Sequence, residues 1–343
     1  MGIALKEIII SKEISLSDLK GKVLAVDTYN MLYQFLTTIR SRDGSLLTDG
    51  SGNVTSHLIG LFGRLTNFMG SGLKPLFVFD GKPPDLKMME QKRRSELKKE
   101  AKKEYDIAKE RQDIESMKKY ASRTTRLTPE MVVEAKEFIG LLGLPVVQAK
   151  SEGEAQAAYI VSQNNAYASV SQDFDTLLYK TPMLIRNLSI AGKRKMTNKL
   201  GFIAVKPELI NLSENLNHLG IDNDQLIALS MLIGTDYNIG GIKGIGPKKA
   251  LGLVKQYNKN YAEMFKAVKW DDHFDYGWED VYYLFKNMPV EKDYSIKFIT
   301  PKFDKIIEFL CEKHDFDKER VEKTLDKISD AKDIKQKGLG DFF

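Results

Sequence analysis

Five short runs of β-branched and other apolar residues, Val23–Val26, Leu76–Phe79, Pro145–Gln148, Tyr167–Ser171 and Met183–Arg186, alternate with segments of helical periodicity. This alternation narrows the choice of folds most, because strands joined by crossover helices pair in parallel and are covered on both faces. The helices between them are expected at Tyr29–Arg40, Ser56–Met69, Pro129–Leu142 and Glu152–Gln163. Thr128 followed by Pro129 makes a good helix start, and Gly143 a stop. The fold class expected is therefore α/β: a mostly parallel, twisted central sheet with helices on both faces. At 343 residues and 42% hydrophobic content, such a core can be filled with chain left over for a helical annexe.

The rhythm breaks in two places. Between Pro83 and Arg126 the chain is rich in Lys, Glu and Gln and poor in β-branched residues, so it reads as one or two polar helices standing off the sheet. From Lys87 to Arg126 there are fourteen Lys or Arg against eight Asp or Glu, a surplus that exceeds the +5 of the whole chain. Concentrated positive charge suits a surface that meets phosphate; a solvated helix laced with i,i+4 ion pairs has the same composition. Glycines then cluster at Gly240–Ala250, ahead of another helix, and after about Ile328 the chain turns polar and ends in Phe342-Phe343. The segments expected are 1–82, a basic insertion at 83–127, 128–239, 240–327, and a flexible tail at 328–343.

Several classes are disfavoured. No stretch approaches eighteen consecutive apolar residues, so no membrane helix is expected. Met1-Gly2-Ile3 does not open a basic-then-apolar leader, and Lys6 stands where a myristoylation motif needs Ser or Thr. The single cysteine, Cys311, excludes an internal disulfide and a cysteine zinc site. A cytoplasmic protein is expected.

Three of the strand candidates finish in acid: Val26 runs into Asp27, Phe79 into Asp80, and Ser171 into Gln172-Asp173-Phe174-Asp175. Ligands of open parallel sheets bind beyond the carboxyl ends of the strands, so these acids should share one edge. Glu152 and Glu154 open the helix after Pro145–Gln148 on that edge, and Asp236 follows the apolar run Ile227–Ile233. A lone Asp after a strand is usually a helix cap or a turn former. Their number argues otherwise, because so many converging carboxylates repel one another unless cations neutralise them. Oxygen-only ligands suit Mg2+ or Mn2+, and the four histidines are scattered without ligand spacing. Two such ions about 3.5–4 Å apart hydrolyse phosphodiesters. No Gly-x-Ser-x-Gly elbow or Walker phosphate loop suggests another chemistry.

Asp80-Gly81-Lys82-Pro83-Pro84, Ser151-Glu152-Gly153-Glu154-Ala155, Gln172-Asp173-Phe174-Asp175 and Gly234-Thr235-Asp236-Tyr237 resemble, in order, signatures of the flap endonucleases of archaea and eukaryotes. The resemblance spans nearly the whole chain and implies a PIN-like 5′ nuclease fold. It implies that Asp27, Asp80, Glu152, Glu154, Asp173, Asp175 and Asp236 hold two Mg2+ ions, with Mn2+ as a substitute. Asp80, Glu152, Glu154 and Asp173 would sit nearest one ion, and Asp175 and Asp236 nearer the other. It makes the basic insertion a helical gateway and cap, from which Lys87 and Arg94, two helical turns apart, reach the scissile phosphate beside Asp173. Tyr33 matches an aromatic on which an unpaired base stacks, and Thr55 with Ser56–Leu61 a region that accepts a short 3′ flap. Gly241 to Lys249 resembles a helix-hairpin-helix turn that grips duplex backbone through Gly244, Gly246, Lys248 and Lys249, with K+ on the carbonyls of Ile242 and Ile245.

The tail fits Gln-x-x-Leu-x-x-Phe-Phe, the clamp-binding peptide of replication proteins, with anchors Gln336, Leu339, Phe342 and Phe343. The basic extension found beyond this peptide in eukaryotic relatives is missing, which points to an archaeal-type source. The function expected is a 5′ flap endonuclease with 5′–3′ exonuclease activity, acting on branched DNA with a sliding clamp as partner, monomeric alone. The alternative is a non-catalytic branched-DNA adaptor carried by the clamp.

Overall fold

The structure is a computed structural model and describes residues 3–190, 192–195 and 202–328. The clamp-peptide anchors Gln336, Leu339, Phe342 and Phe343 lie outside the described residues.

All five expected strands form. In chain order the strands are β1 (Lys12–Glu13), β2 (Val23–Asp27), β3 (Lys74–Phe79), β4 (Val146–Gln148), β5 (Ala168–Val170), β6 (Met183–Arg186), β7 (Gly192–Lys195), β8 (Phe202–Val205) and β9 (Glu208–Asn211). One seven-stranded sheet has the order β1-β9-β6-β5-β2-β3-β4, and β7 pairs with β8 in a separate antiparallel ribbon. From β6 to β4 all neighbours are parallel. The antiparallel edge pairs, β6 with β9 and β9 with β1, were not expected: Lys12-Glu13 and Glu208–Asn211 carry no sustained apolar run.

The helices are α1 (Thr28–Thr38), α2 (Ser56–Gly70), α3 (Lys87–Glu110), α4 (Ile114–Arg123), α5 (Pro129–Leu141), α6 (Gly153–Ser162), α7 (Leu212–Leu219), α8 (Asn223–Ile233), α9 (Pro247–Tyr257), α10 (Tyr261–Ala267), α11 (Trp278–Lys286) and α12 (Phe303–Ile307). A last helix occupies 318–328. Alternation along the strands sorts the core into two faces. Leu24, Val26, Phe77, Phe79, Ala168 and Val170 pack against α1, α2, α5 and residues 303–328, which contribute Ile306, Phe309, Val321 and Leu325. Ala25, Leu76, Val78 and Val147 face the other way, onto α6. Farther along that side Leu184 and Ile210 join a cluster with α8, α9, α10 and α11. Phe77 and Phe79 are fully buried, each contributing about 1.5–3 kcal/mol by leaving water. That burial clamps the end of β3, from which Asp80 projects.

Helices α3 and α4 form where one or two polar helices were expected. Of the 24 residues of α3 only Glu90, Ala101 and Ala108 are buried. The turn between the two helices passes through Gln112 in the left-handed region (φ 54), and Asp113 caps α4 by accepting from Ser116 N at 3.1 Å. Within 240–327, α9 to α11 stay on the α8 side, whereas Ile299 N donates to Gly143 O and Lys302 N to Leu141 O as the chain crosses to the face of α5. Among the described residues no helix is long and apolar enough to cross a membrane.

Candidate active site

The parallel register brings the acids to one edge. Asp27 ends β2 level with Val78, and Val26 pairs with Val170, so Asp27, Asp80 and Asp173 leave three adjacent strands at similar heights. Asp27 doubles as the cap of α1: Asn30 N donates to its Oδ1 at 3.1 Å, and the Ser171 hydroxyl donates to its Oδ2 at 3.1 Å. The Asn30 amide donates to Asp173 Oδ2 at 2.9 Å, tying the ends of β2 and β5 together. Gly153 N donates to Asp80 Oδ1 at 2.7 Å, and Ile3 N to Asp175 Oδ1 at 2.9 Å. Ser171 Oγ also lies 3.3 Å from Glu154 Oε1.

Burial and mutual repulsion dominate the electrostatics. Burial, then Asp80 and Asp173, raises the Asp27 carboxyl to about 8, against the pull of its Asn30 and Ser171 hydrogen bonds. Asp175 is raised to about 7 by burial and by Asp173 and Asp236, and Asp80 to about 6 by burial and Glu152. Glu154 stands well above its ordinary value through burial and the charges of Asp175, Asp27 and Asp173. Two like charges 4 Å apart near a protein surface repel by about 4 kcal/mol, so this set cannot all ionise without counter-charge.

Part of that counter-charge comes from α3. Lys87 Nζ donates to Glu152 Oε2 at 2.6 Å and lies 3.7 Å from Asp236 Oδ2, while Arg94 Nη2 donates to Asp236 Oδ1 at 2.7 Å. Burial works against the Lys87 ammonium, yet Glu152, Asp236 and Asp80 outweigh it and raise its pKa. Both cations were expected to point at substrate; here the neighbouring carboxylates draw them in.

The donor set nevertheless fits a hard divalent cation. It offers oxygens only, Asp27, Asp80, Glu154 and Asp175 are held towards protonation by burial and by neighbouring acids, and Glu152 Oε1 is buried with no hydrogen-bond partner. As the side chains stand, no three acidic, histidine or cysteine groups among the described residues are gathered closely enough to hold one ion. Backbone N–H groups, Lys87 and Arg94 occupy several of the oxygens instead.

A cleft of about 490 Å³ opens beside the acids, lined by Tyr29, Tyr33, Asp80, Lys87, Arg94 and Glu152 among others. Tyr33 is 37% exposed, with Lys98 Nζ 5.3 Å from its ring centroid. Thr55 does not line this cleft. It is buried at the start of α2, in a second cavity of about 470 Å³ bounded by Leu47, Asp49, Phe62, His314 and Phe316. The glycine-rich turn joins α8 to α9: Ile242 is buried, and Ile242 N donates to Leu232 O. Gly244 has φ +81 with open space around it, and Gly246 precedes the first turn of α9, where Lys248 and Lys249 are exposed.

Sequence reasoning missed Asn30, Ser171 and Gly153 as supports of the carboxylates, and Lys98 and Arg126 as cleft residues. Lys98 carried a signal, lying one turn beyond Arg94 on α3; Arg126 carried none.

Residues 1–101 match the family model described as the XPG N-terminal domain, and residues 143–236 the XPG I-region. The chain is 47% identical over 344 residues to Flap endonuclease 1 of Thermococcus onnurineus, an alignment covering 100% of this chain and 99% of that protein. Flap endonuclease-1 from Methanococcus jannaschii is similar in structure, with a TM-score of 0.74, 40% identity, and 96% and 98% of the two chains covered. The catalytic core of Rad2 in complex with DNA substrate shares the fold at 21% identity, with a TM-score of 0.68 over 96% of this chain and 100% of that one. Matched over nearly its full length by such relatives and in both family regions, the chain belongs to the flap endonuclease family of structure-specific nucleases.

Proposed function

We propose that the protein is a 5′ flap endonuclease, with 5′–3′ exonuclease activity, that hydrolyses phosphodiesters of branched DNA in replication and repair. The observation that carries this reading is the gathering of carboxylates from separate elements around one edge, several of them held towards protonation by burial and by one another. Asp27, Asp80, Glu152, Glu154, Asp173, Asp175 and Asp236 would hold two Mg2+ ions, or Mn2+ in their place. Bound there, such ions polarise the phosphodiester, activate a water and stabilise the leaving oxygen.

The chain's own side chains then bind and orient the substrate. Lys87 and Arg94, beside the carboxylates in the cleft, are placed to turn from Glu152 and Asp236 onto a phosphate and stabilise its developing charge. Tyr33 offers a half-exposed ring at the mouth of the cleft, and stacking there contributes about 1–3 kcal/mol per base without regard to sequence. The exposed first turn of α9, with Gly244, Gly246, Lys248 and Lys249, suits phosphates of the duplex, and K+ would sit on the carbonyls of Ile242 and Ile245. The cavity beside Thr55 would accept a short 3′ flap. Gln336, Leu339, Phe342 and Phe343 would dock a sliding clamp, in a cytoplasmic protein that is monomeric alone.

A non-catalytic, clamp-borne adaptor would have no use for so many buried acids, whose repulsion costs stability. A 5′-labelled double-flap substrate incubated with and without Mg2+ separates the two readings. Cleavage should require the metal, and Asp173→Ala should abolish cutting while flap binding persists. Binding without cleavage by the parent, or parental cutting by Asp173→Ala, would sink the catalytic assignment.

A further inference from the structure

Glu90 lies in the first turn of α3 and is only 3% exposed, an unusual place for a carboxylate on so polar a helix. Its Oε2 accepts from Arg93 Nε at 2.7 Å, and its Oε1 accepts both from Arg93 Nη2 at 2.8 Å and from Arg94 Nε at 2.5 Å. Arg94 donates its Nη2 to Asp236 at 2.7 Å. The guanidinium is thus gripped at Nε by Glu90, which leaves its Nη groups to face the carboxylate cluster. A free arginine side chain gives up rotamer entropy when fixed, so a residue that fixes it beforehand lowers that cost at the moment of reaction.

We propose that Glu90 is a positioning residue: it holds the Arg94 guanidinium against the cleft, aimed at the edge where phosphate meets the acids, with Arg93 sharing its charge. The inference rests on the reading above that Arg94 acts on that phosphate. Burial opposes ionisation of Glu90, but its hydrogen bonds and ion pairs with Arg93 and Arg94 prevail and hold the carboxyl below its ordinary range, so it stays an acceptor at neutral pH. Arg94 is partly exposed, and a simple i,i+4 staple on α3 is the competing role for Glu90. Such a staple would lend the helix slight stability and contribute nothing to cleavage.

A double-mutant cycle separates the two roles. Single-turnover cleavage of a double-flap substrate is measured at saturating enzyme and Mg2+ for the parent, Glu90→Ala, Glu90→Gln, Arg94→Ala and Glu90→Ala/Arg94→Ala, with substrate affinity and melting temperature alongside. Glu90→Ala should slow cleavage about 10-fold, the size expected when an orienting partner is lost, with substrate affinity changed much less. Glu90→Gln, whose amide oxygen still accepts from Arg94 Nε, should fall between Glu90→Ala and the parent. The double variant should be no slower than Arg94→Ala alone. A parental rate for Glu90→Ala, or full additivity in the double variant, overturns the proposal. If Glu90→Ala fails to fold, Glu90→Gln in both backgrounds carries the same comparison. Should Arg94→Ala itself cut at the parental rate, the reading of Arg94 fails; a slow Arg94→Ala beside a parental Glu90→Ala refutes the Glu90 inference alone.

Discussion

Gly153 has no side chain, and the placement of Asp80 depends on that. Its N–H donates to Asp80 Oδ1 at 2.7 Å, and a Cβ built on it would come within 2.5 Å of the same oxygen. In Gly153→Ala the Asp80 carboxylate must swing away. Gly153 is the first residue of α6 and does not have a positive φ, and alanine restricts the unfolded chain more than glycine, so α6 should not weaken. Cleavage should fall by about 10–100-fold while the melting temperature holds or rises; single-turnover rates and thermal melts check both, and an undiminished rate would show that Asp80 does not need this approach. The Ser-Glu-Gly-Glu motif was legible in the chain, and the seven candidate acids could be named from it. The need for a glycine between the two glutamates was not, because it arises from β3 lying against the start of α6.

At the scale of elements, local signals located helices well and strand edges poorly. Thr128–Pro129 and Gly246–Pro247 start α5 and α9 as their capping chemistry requires, since a cap is decided within a few residues. β1 and β9 escaped notice because both are short, β1 being polar and β9 carrying only Leu209 and Ile210 between polar residues, and only pairing across the molecule makes them strands. The start of α9 offers a direct test. Its N-terminus and the exposed Lys248 and Lys249 are proposed as an anion site for phosphate. Replacing both lysines by alanine should reduce the slope of log K against log salt by about 2, roughly one for each phosphate left without its lysine, and weaken binding alike on any sequence. Fluorescence anisotropy of a labelled duplex over a KCl series measures this, and an unchanged slope would remove both lysines from the interface.

On the scale of the whole molecule, the nuclease edge and the clamp peptide are proposed as two binding modules on one chain. Joining two such modules in one chain raises the effective concentration of the second once the first is engaged. Deleting residues 336–343 should therefore collapse the ratio of cleavage rates measured with and without clamp to near one. A ratio as high as the parent's would end the tail's assignment.

What the sequence determined alone is what short-range chemistry decides: the short apolar strands, the capped helices, the acids that close three strands, and the polar character of α3 and α4. Folding decided which of those acids share a dielectric and a charge field. Lys87 meets a glutamate 65 residues away, and Arg94 an aspartate 142 away. Burial beneath the packed chain raises Asp27 to about 8, and Asp80 and Asp173, brought beside it on neighbouring strands, add to the shift. Such couplings depend on strand register and on the exclusion of water, which residues close in sequence cannot encode and packed side chains impose.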